Sequence, residues 1–309
     1  MDARAISAMS SELAISGFHA RLMSEGYCII PDAVPADVIG SLNHDLDSRF
    51  KATPFCKGTF YGETTKRFGS LLKHSRTAEA LVQHPFILDL IRKVLGPYCD
   101  RIQLNLTQAV EIHSGAEEQL PHRDQDMWGG PKGNMEYLVN VMWPLVPFTQ
   151  QNGATVVWPR SHLKQDALFL PPTESIAAEM EPGSALLFLG STLHAGGANK
   201  TQLPRRGLIV SYCLGWLRQF EAQLLIYPPS VAKNFSPELA ALIGYAIHRP
   251  NLGNYEGQCP SVLLRDGPLD HLQAQDALRP EQEAFIASLM RGSQTTGGGR
   301  NAKVLEAAR

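Results

Sequence analysis

His122, Asp124 and His194 are the residues whose types and spacing could do chemistry together. His122 and Asp124 stand two apart in the run Gln119-Leu120-Pro121-His122-Arg123-Asp124-Gln125-Asp126-Met127-Trp128. On an extended backbone, residues two apart point to the same side. The pair then offers an imidazole nitrogen and a carboxylate oxygen along one edge of a metal's coordination sphere. His194 is the candidate for a third ligand. It follows the apolar run SALLFL and precedes Ala195-Gly196-Gly197, which puts it at a strand end. Strand ends at the mouth of a barrel are where sites gather. Two histidines and one carboxylate leave three octahedral positions open, the pattern of non-haem Fe(II) oxygenases.

A His-x-Asp pair alone is weak evidence. The basic pair Arg205-Arg206, eleven and twelve residues after His194, adds weight. An oxygenase with three open positions can bind an oxo-acid cosubstrate through two of them. The distal carboxylate of that cosubstrate must then be neutralised in a dry pocket. Arginine suits this task, because its planar fork binds a carboxylate through two hydrogen bonds. Arg205 and Arg206 point to opposite faces of their strand. Arg205 shares its face with Gly207, Ile209, Ser211 and Cys213 and is the favoured one, with Arg206 the alternative.

The chain changes texture near residue 100. Before it, the apolar spacing predicts a helix over 36–49, opened by Pro35. A second helical stretch over 78–95 should be split by Pro85 and stopped by Gly96-Pro97. After residue 100, RIQLNLTQAVEIH, YLVNVMWPLV, ATVVWP, SALLFL and RGLIVSYCLGW read as strands between turn-forming segments. Helix-like patterns return over 233–248 and 279–291. The expectation is one domain over 1–291, with a β core near 100–220 wrapped by helices, and a glycine-rich flexible tail over 292–309.

These residues resemble the phytanoyl-CoA dioxygenase (PhyH) family of Fe(II)/2-oxoglutarate-dependent oxygenases over roughly residues 20–230. The resemblance rests on His122-x-Asp124, His194 and the arginine eleven residues later. Asn105-Leu106-Thr107-Gln108, Gln119, Asn152-Gly153-Ala154-Thr155 and Trp158-Pro159-Arg160-Ser161-His162 support it. Thr65-Lys66-Arg67-Phe68-Gly69 is similar to the fungal natural-product (meroterpenoid-type) branch rather than the acyl-CoA branch. Arg160 departs from the pattern, since many relatives carry glycine there. The resemblance implies a mainly β fold with flanking helices, a double-stranded β-helix (jelly-roll, cupin-like). It implies His122, Asp124 and His194 as Fe(II) ligands and Arg205 on the distal carboxylate of 2-oxoglutarate. Gln119, Thr155 and Arg67 are implied as further cosubstrate contacts. The implied reaction consumes O2 and 2-oxoglutarate, releases succinate and CO2, and oxidises a C–H bond of a small, largely apolar substrate such as a terpenoid. Hydroxylation, desaturation, rearrangement and ring formation all belong to that branch. Asp124 speaks against halogenation, because related halogenases lack this carboxylate. The rival readings are a metal-dependent cupin that uses no 2-oxoglutarate, and an acyl-CoA hydroxylase.

Loops over 57–73, 126–136 and 219–232 are expected to shape the mouth. Trp128, Asn105, Met142 and Trp216 are candidates to line it. His113, His162 and His248 lack partners at ligand spacing and read as surface or hydrogen-bonding residues.

Composition excludes other classes. The chain has 309 residues, 28 Lys+Arg against 30 Asp+Glu, and a formal net charge of -2, which gives no footprint for nucleic acid or anionic membrane. No apolar run reaches the roughly 20 residues of a membrane span, and the first twenty residues do not read as a secretory leader. Five scattered cysteines (Cys28, Cys56, Cys99, Cys213, Cys259) read as free thiols in a reducing compartment. The expectation is a cytoplasmic enzyme with a small-molecule substrate, as a homodimer. G-x-S-x-G, Walker and dinucleotide-binding signatures are all absent.

Overall fold

The computed structural model describes residues 3–164, 170–270 and 272–294. Two antiparallel sheets form its centre. The six-stranded sheet combines β1 (Tyr27–Ile30), β2 (Thr65–Gly69), β3 (Ile102–Ile112), β4 (Leu138–Pro144), β7 (Ala185–Leu189) and β9 (Arg205–Leu214), in the order β1-β7-β4-β9-β3-β2. The three-stranded sheet has the order β6-β5-β8, from β5 (Thr155–Val157), β6 (Ile176–Ala177) and β8 (His194–Gly196). The fold is a double-stranded β-helix with flanking helices, as the sequence led us to expect. Such a fold needs strands that alternate between two environments. On β3, Leu106, Gln108, Val110 and Ile112 face the space between the sheets, and on β4 Leu138, Asn140 and Met142 do.

The helices cover the outer face of the large sheet. Their spans are α1 (Ala3–Glu25), α2 (Ala36–Ala52), α3 (Ala78–Val82) and α4 (Pro85–Leu95). Pro85 does split the second predicted stretch: α3 ends at Val82, and α4 starts on Pro85 with His84 as its cap. Proline suits that first position, because its missing N–H would have no helical partner there. Ile87, Leu90, Ile91, Val94 and Leu95 fall on one side of α4 and are buried. One apolar cluster runs without a break from Ile15 on α1 to Tyr245.

Several expectations change in detail. The 233–248 pattern forms a shorter helix, Pro237–Ile243, because Gly244 at φ 128 ends it. The last helix runs over Pro280–Gln294 and so enters the segment expected as a flexible tail; residues 295–309 lie outside the described residues. Strands β1 and β2 and the long N-terminal helix were not foreseen as elements. Arg160 adopts φ 62 and ψ 9, a left-handed conformation that glycine enters without strain, which explains why a glycine fits this turn. Its guanidinium pairs with Glu25 at 3.0 Å. Among the described residues, no helix is long and apolar enough to cross a membrane.

Candidate active site

The space between the sheets holds an open cavity. His122, Asp124 and His194 meet on its wall, with their ligand atoms within 4.8 Å of one another. His122 Nε2 lies 3.5 Å from Asp124 Oδ1, and His194 Nε2 lies 3.5 Å from Asp124 Oδ2. Neighbouring donors on a six-coordinate ion with bonds of ~2.1 Å sit about 3 Å apart, close to the 3.5 Å between each imidazole and the carboxylate. The backbone joins the two halves of the cluster. His122 N–H donates to His194 O at 3.0 Å, and His194 N–H donates back to His122 O at 3.0 Å.

The His-x-Asp pair is not carried by one strand, as the alternation argument supposed. His122 sits in an isolated bridge to His194, and Asp124 opens a short 3-10 turn over Asp124–Met127. Arg123 between them is extended at φ -118 and ψ 123. Both imidazoles are oriented by their own chain. Nδ1 of His122 lies 3.0 Å from Leu120 O, and Nδ1 of His194 lies 3.0 Å from Thr192 O. A carbonyl oxygen only accepts, so each Nδ1 carries the proton and each Nε2 keeps a lone pair for the cavity. Burial pushes His194 down to about 4, outweighing the pull of Asp124, so its ring is neutral near pH 7. Burial pushes the Asp124 carboxyl up, but the two imidazoles and the Asn140 amide outweigh it and hold the group at about 2. A carboxylate and neutral imidazoles are the protonation states that bind a divalent cation.

Arg205 and Arg206 separate as their alternation requires. Arg206 turns away from the cavity and pairs with Glu111 and Asp47. Arg205 lines the cavity and is 1% exposed. Its Nε donates to Gly153 O at 3.0 Å, and its guanidinium lies 3.9 Å from the centre of the Phe148 ring. Among the described residues it has no acidic partner. Burial and the nearby Arg67 push it down to about 9, which still leaves it charged near neutrality. A buried guanidinium without a counter-ion fits a ligand that brings one.

Arg67, on β2, also lines the cavity rather than the surface. Its Nη1 donates to Gln108 Oε1 at 3.1 Å, its guanidinium lies 4.8 Å from the Tyr61 ring centre, and its buried Nε has no partner among the described residues. Thr155 Oγ1 is likewise buried and unpartnered at the cavity wall. Gln119 reaches the same wall, with its Oε1 accepting from Gly196 N–H at 3.2 Å. The structure therefore gathers all seven candidate residues around one cavity. Unmade hydrogen bonds on buried groups are costly, so Thr155 and Arg67 fit a polar ligand here.

Each expected mouth loop contributes an apolar side chain: Phe60 and Tyr61, Met127, and Phe220. The Phe60 ring stands edge-on to His122 at 4.9 Å. Asn105 and Met142 line the cavity; Trp128 and Trp216 do not. Trp128 packs on the Tyr137 ring and donates to Arg218 O, and Trp216 donates to Tyr98 O. A tryptophan beside a turn satisfies its N–H wherever a carbonyl is near, and these two find theirs outside the cavity. His113, His162 and His248 bond to Glu111, Met23 O and Asp100 N–H, away from the cluster. Sequence reasoning missed Asn140 and Phe148, each of which holds a candidate residue in place.

A double-stranded β-helix with a His-x-Asp…His cluster on its inner face, beside a buried arginine, defines a non-haem Fe(II)/2-oxoglutarate-dependent dioxygenase. The phytanoyl-CoA dioxygenase (PhyH) family model matches residues 22–207, and the chain belongs to that family. It is 27% identical over 275 residues to the dioxygenase olcK of Penicillium canescens, covering 84% of this chain and 89% of that one. It is 32% identical over 228 residues to the dioxygenase FrzG of a Cladobotryum species, covering 69% of this chain and 73% of the relative. Among solved structures, the non-haem α-ketoglutarate-dependent epimerase SnoN from nogalamycin biosynthesis is similar in fold. It superposes with a TM-score of 0.56 at 19% identity, over 66% of this chain and 82% of its own.

Proposed function

We propose that this enzyme oxidises a C–H bond of a small, largely apolar natural product, such as a terpenoid or meroterpenoid, with release of succinate and CO2. The convergence of His122, Asp124 and His194 on one cavity wall carries the reading. Their two lone-pair nitrogens and one carboxylate would hold Fe(II), and the buried cation of Arg205 would take the distal carboxylate of 2-oxoglutarate. Thr155, Gln119 and Arg67, which line the same cavity, would be its further contacts. When bound, the iron and 2-oxoglutarate supply the oxidising power, using O2.

The chain's own part is binding, orientation and exclusion of water. Phe148 and Gly153 O hold the Arg205 guanidinium at the cavity wall. Phe60, Tyr61, Met127 and Phe220 offer apolar surface at the opening, which favours a substrate with an apolar skeleton over a charged carrier such as an acyl-CoA. The similar epimerase SnoN belongs to nogalamycin biosynthesis, which supports a natural-product substrate over the acyl-CoA alternative. The buried Arg205 without a counter-ion supports use of 2-oxoglutarate over a cupin that dispenses with it.

The test is anaerobic addition of Fe(II) and then 2-oxoglutarate, followed by visible spectroscopy. The expected result is a weak charge-transfer band that is absent in His122→Ala. A band of equal strength in that variant, or none in the wild type, rejects the reading.

A further inference from the structure

We propose that Asn140 is a positioning residue: its carboxamide reserves one oxygen of Asp124, so that the carboxylate grips the metal through the other oxygen alone. This rests on the metal-binding reading given above. The observation behind it is the hydrogen bond from Asn140 Nδ2 to Asp124 Oδ2 at 2.8 Å.

Asn140 is out of place as a strand residue. It is the one polar side chain in β4, whose residues are otherwise Leu138, Val139, Val141, Met142, Trp143 and Pro144. It is 1% exposed, near the centre of the large sheet, opposite Phe188 on β7 and Ser211 on β9. Asparagine is depleted in strands, and burying an amide costs free energy unless it is bonded. Asp124 supplies that bond. A carboxylate is an acceptor only, so the amide nitrogen, not its oxygen, must face it.

The two carboxylate oxygens are thereby made unequal. Each oxygen lies 3.5 Å from one imidazole, Oδ1 from His122 and Oδ2 from His194, but Oδ2 alone also carries the Asn140 bond. A carboxylate can bind a metal through one oxygen or both. A three-residue face that must keep three positions open for a two-toothed cosubstrate and for O2 cannot let its carboxylate take two. A fixed N–H on Oδ2 withholds that oxygen, and β4 holds the N–H rigidly because both of its edges are paired. Asn140 also lines the cavity, so it meets Asp124 from the cavity wall rather than from the solvent side.

The experiment measures metal and cosubstrate binding separately, without turnover. Wild type, Asn140→Leu and Asn140→Ala are titrated anaerobically with Fe(II) by calorimetry, then with 2-oxoglutarate by its charge-transfer band, and each is melted. Leucine keeps the volume and loses the donor; alanine guards against a leucine that does not fit. Both variants should bind Fe(II) at least as tightly as wild type, because both carboxylate oxygens become available. Both should bind 2-oxoglutarate at least tenfold more weakly. Equal 2-oxoglutarate affinity in wild type and Asn140→Ala overturns the proposal. So does a parallel loss of both affinities that tracks the melting temperature, the signature of a merely structural amide. A wild type that binds no Fe(II) removes the functional reading, and this one with it.

Discussion

At the scale of residues, the cavity separates into groups that bind and groups that aim them. Nδ1 of each cluster histidine is tied to the carbonyl two residues back, so neither ring can turn its lone pair away. Arg205 is aimed by stacking on Phe148 and by one bond to Gly153 O. Arg205→Ala should raise the 2-oxoglutarate concentration needed for half-saturation by at least about tenfold, since losing one partner of a buried charge pair costs about 2–5 kcal/mol. Arg205→Lys should restore only part of that, lacking the two-pronged fork. Phe148→Leu should weaken 2-oxoglutarate up to about thirtyfold with metal affinity unchanged, given a desolvated cation–π contact of about 2 kcal/mol; titration of the charge-transfer band reads both. The cluster was legible in the sequence because a His-x-Asp pair, a histidine after an apolar run and an arginine eleven residues later together fit one chemistry. Asn140 and Phe148 gave no such signal. One is a single amide in an apolar strand and the other an aromatic beside a proline, and neither reveals its partner until strands distant in sequence are laid side by side.

Elements set how closely these groups approach. Gly207 lies next to Arg205 on the cavity face of β9, and a Cβ there would stand 2.6 Å from the Phe148 ring and 3.2 Å from Met142 Sδ. Gly207→Ala should therefore push the ring off the guanidinium. We expect a loss of about 1–3 kcal/mol in urea unfolding, together with weaker 2-oxoglutarate binding. An alanine that leaves both values at wild type would show that the ring yields freely. The long central strands were readable because each is apolar, or alternates, over seven residues or more. Strand β2 was not, since Thr65-Lys66-Arg67-Phe68-Gly69 is polar and lies at the sheet's edge, paired among the described residues with β3 alone. An edge strand need not look apolar, because only one flank is paired. β1 has only four residues, too few to show a period. The Asp124 turn was misjudged for a related reason: three residues of extended chain and the entry to a 3-10 turn look alike without the bridge that fixes them.

For the molecule as a whole, burial of titratable groups sets a pH profile. Burial holds His194, His162 and His248 below their ordinary value of 6.5. Below pH 6.5 the unfolded chain takes up protons that these native rings refuse, so stability falls as pH drops through and below 6.5. Glu136 and Glu221 act in the opposite sense. Burial raises them above 4.5, so their cost to the native state fades as pH falls toward 4.5. The urea midpoint of metal-free protein should be level from pH 8 to 6.5 and then decline. His162→Gln should make the decline shallower, and an unchanged slope in that variant would remove His162 from the account. The paired backbone bonds between His122 and His194 have a consequence for how the centre opens. They form a two-rung clasp between distant stretches of chain, so neither amide can exchange its hydrogen for deuterium without releasing the other. Backbone bonds therefore hold the two stretches together independently of any ion, and loading the site should leave deuterium uptake elsewhere in the barrel almost untouched.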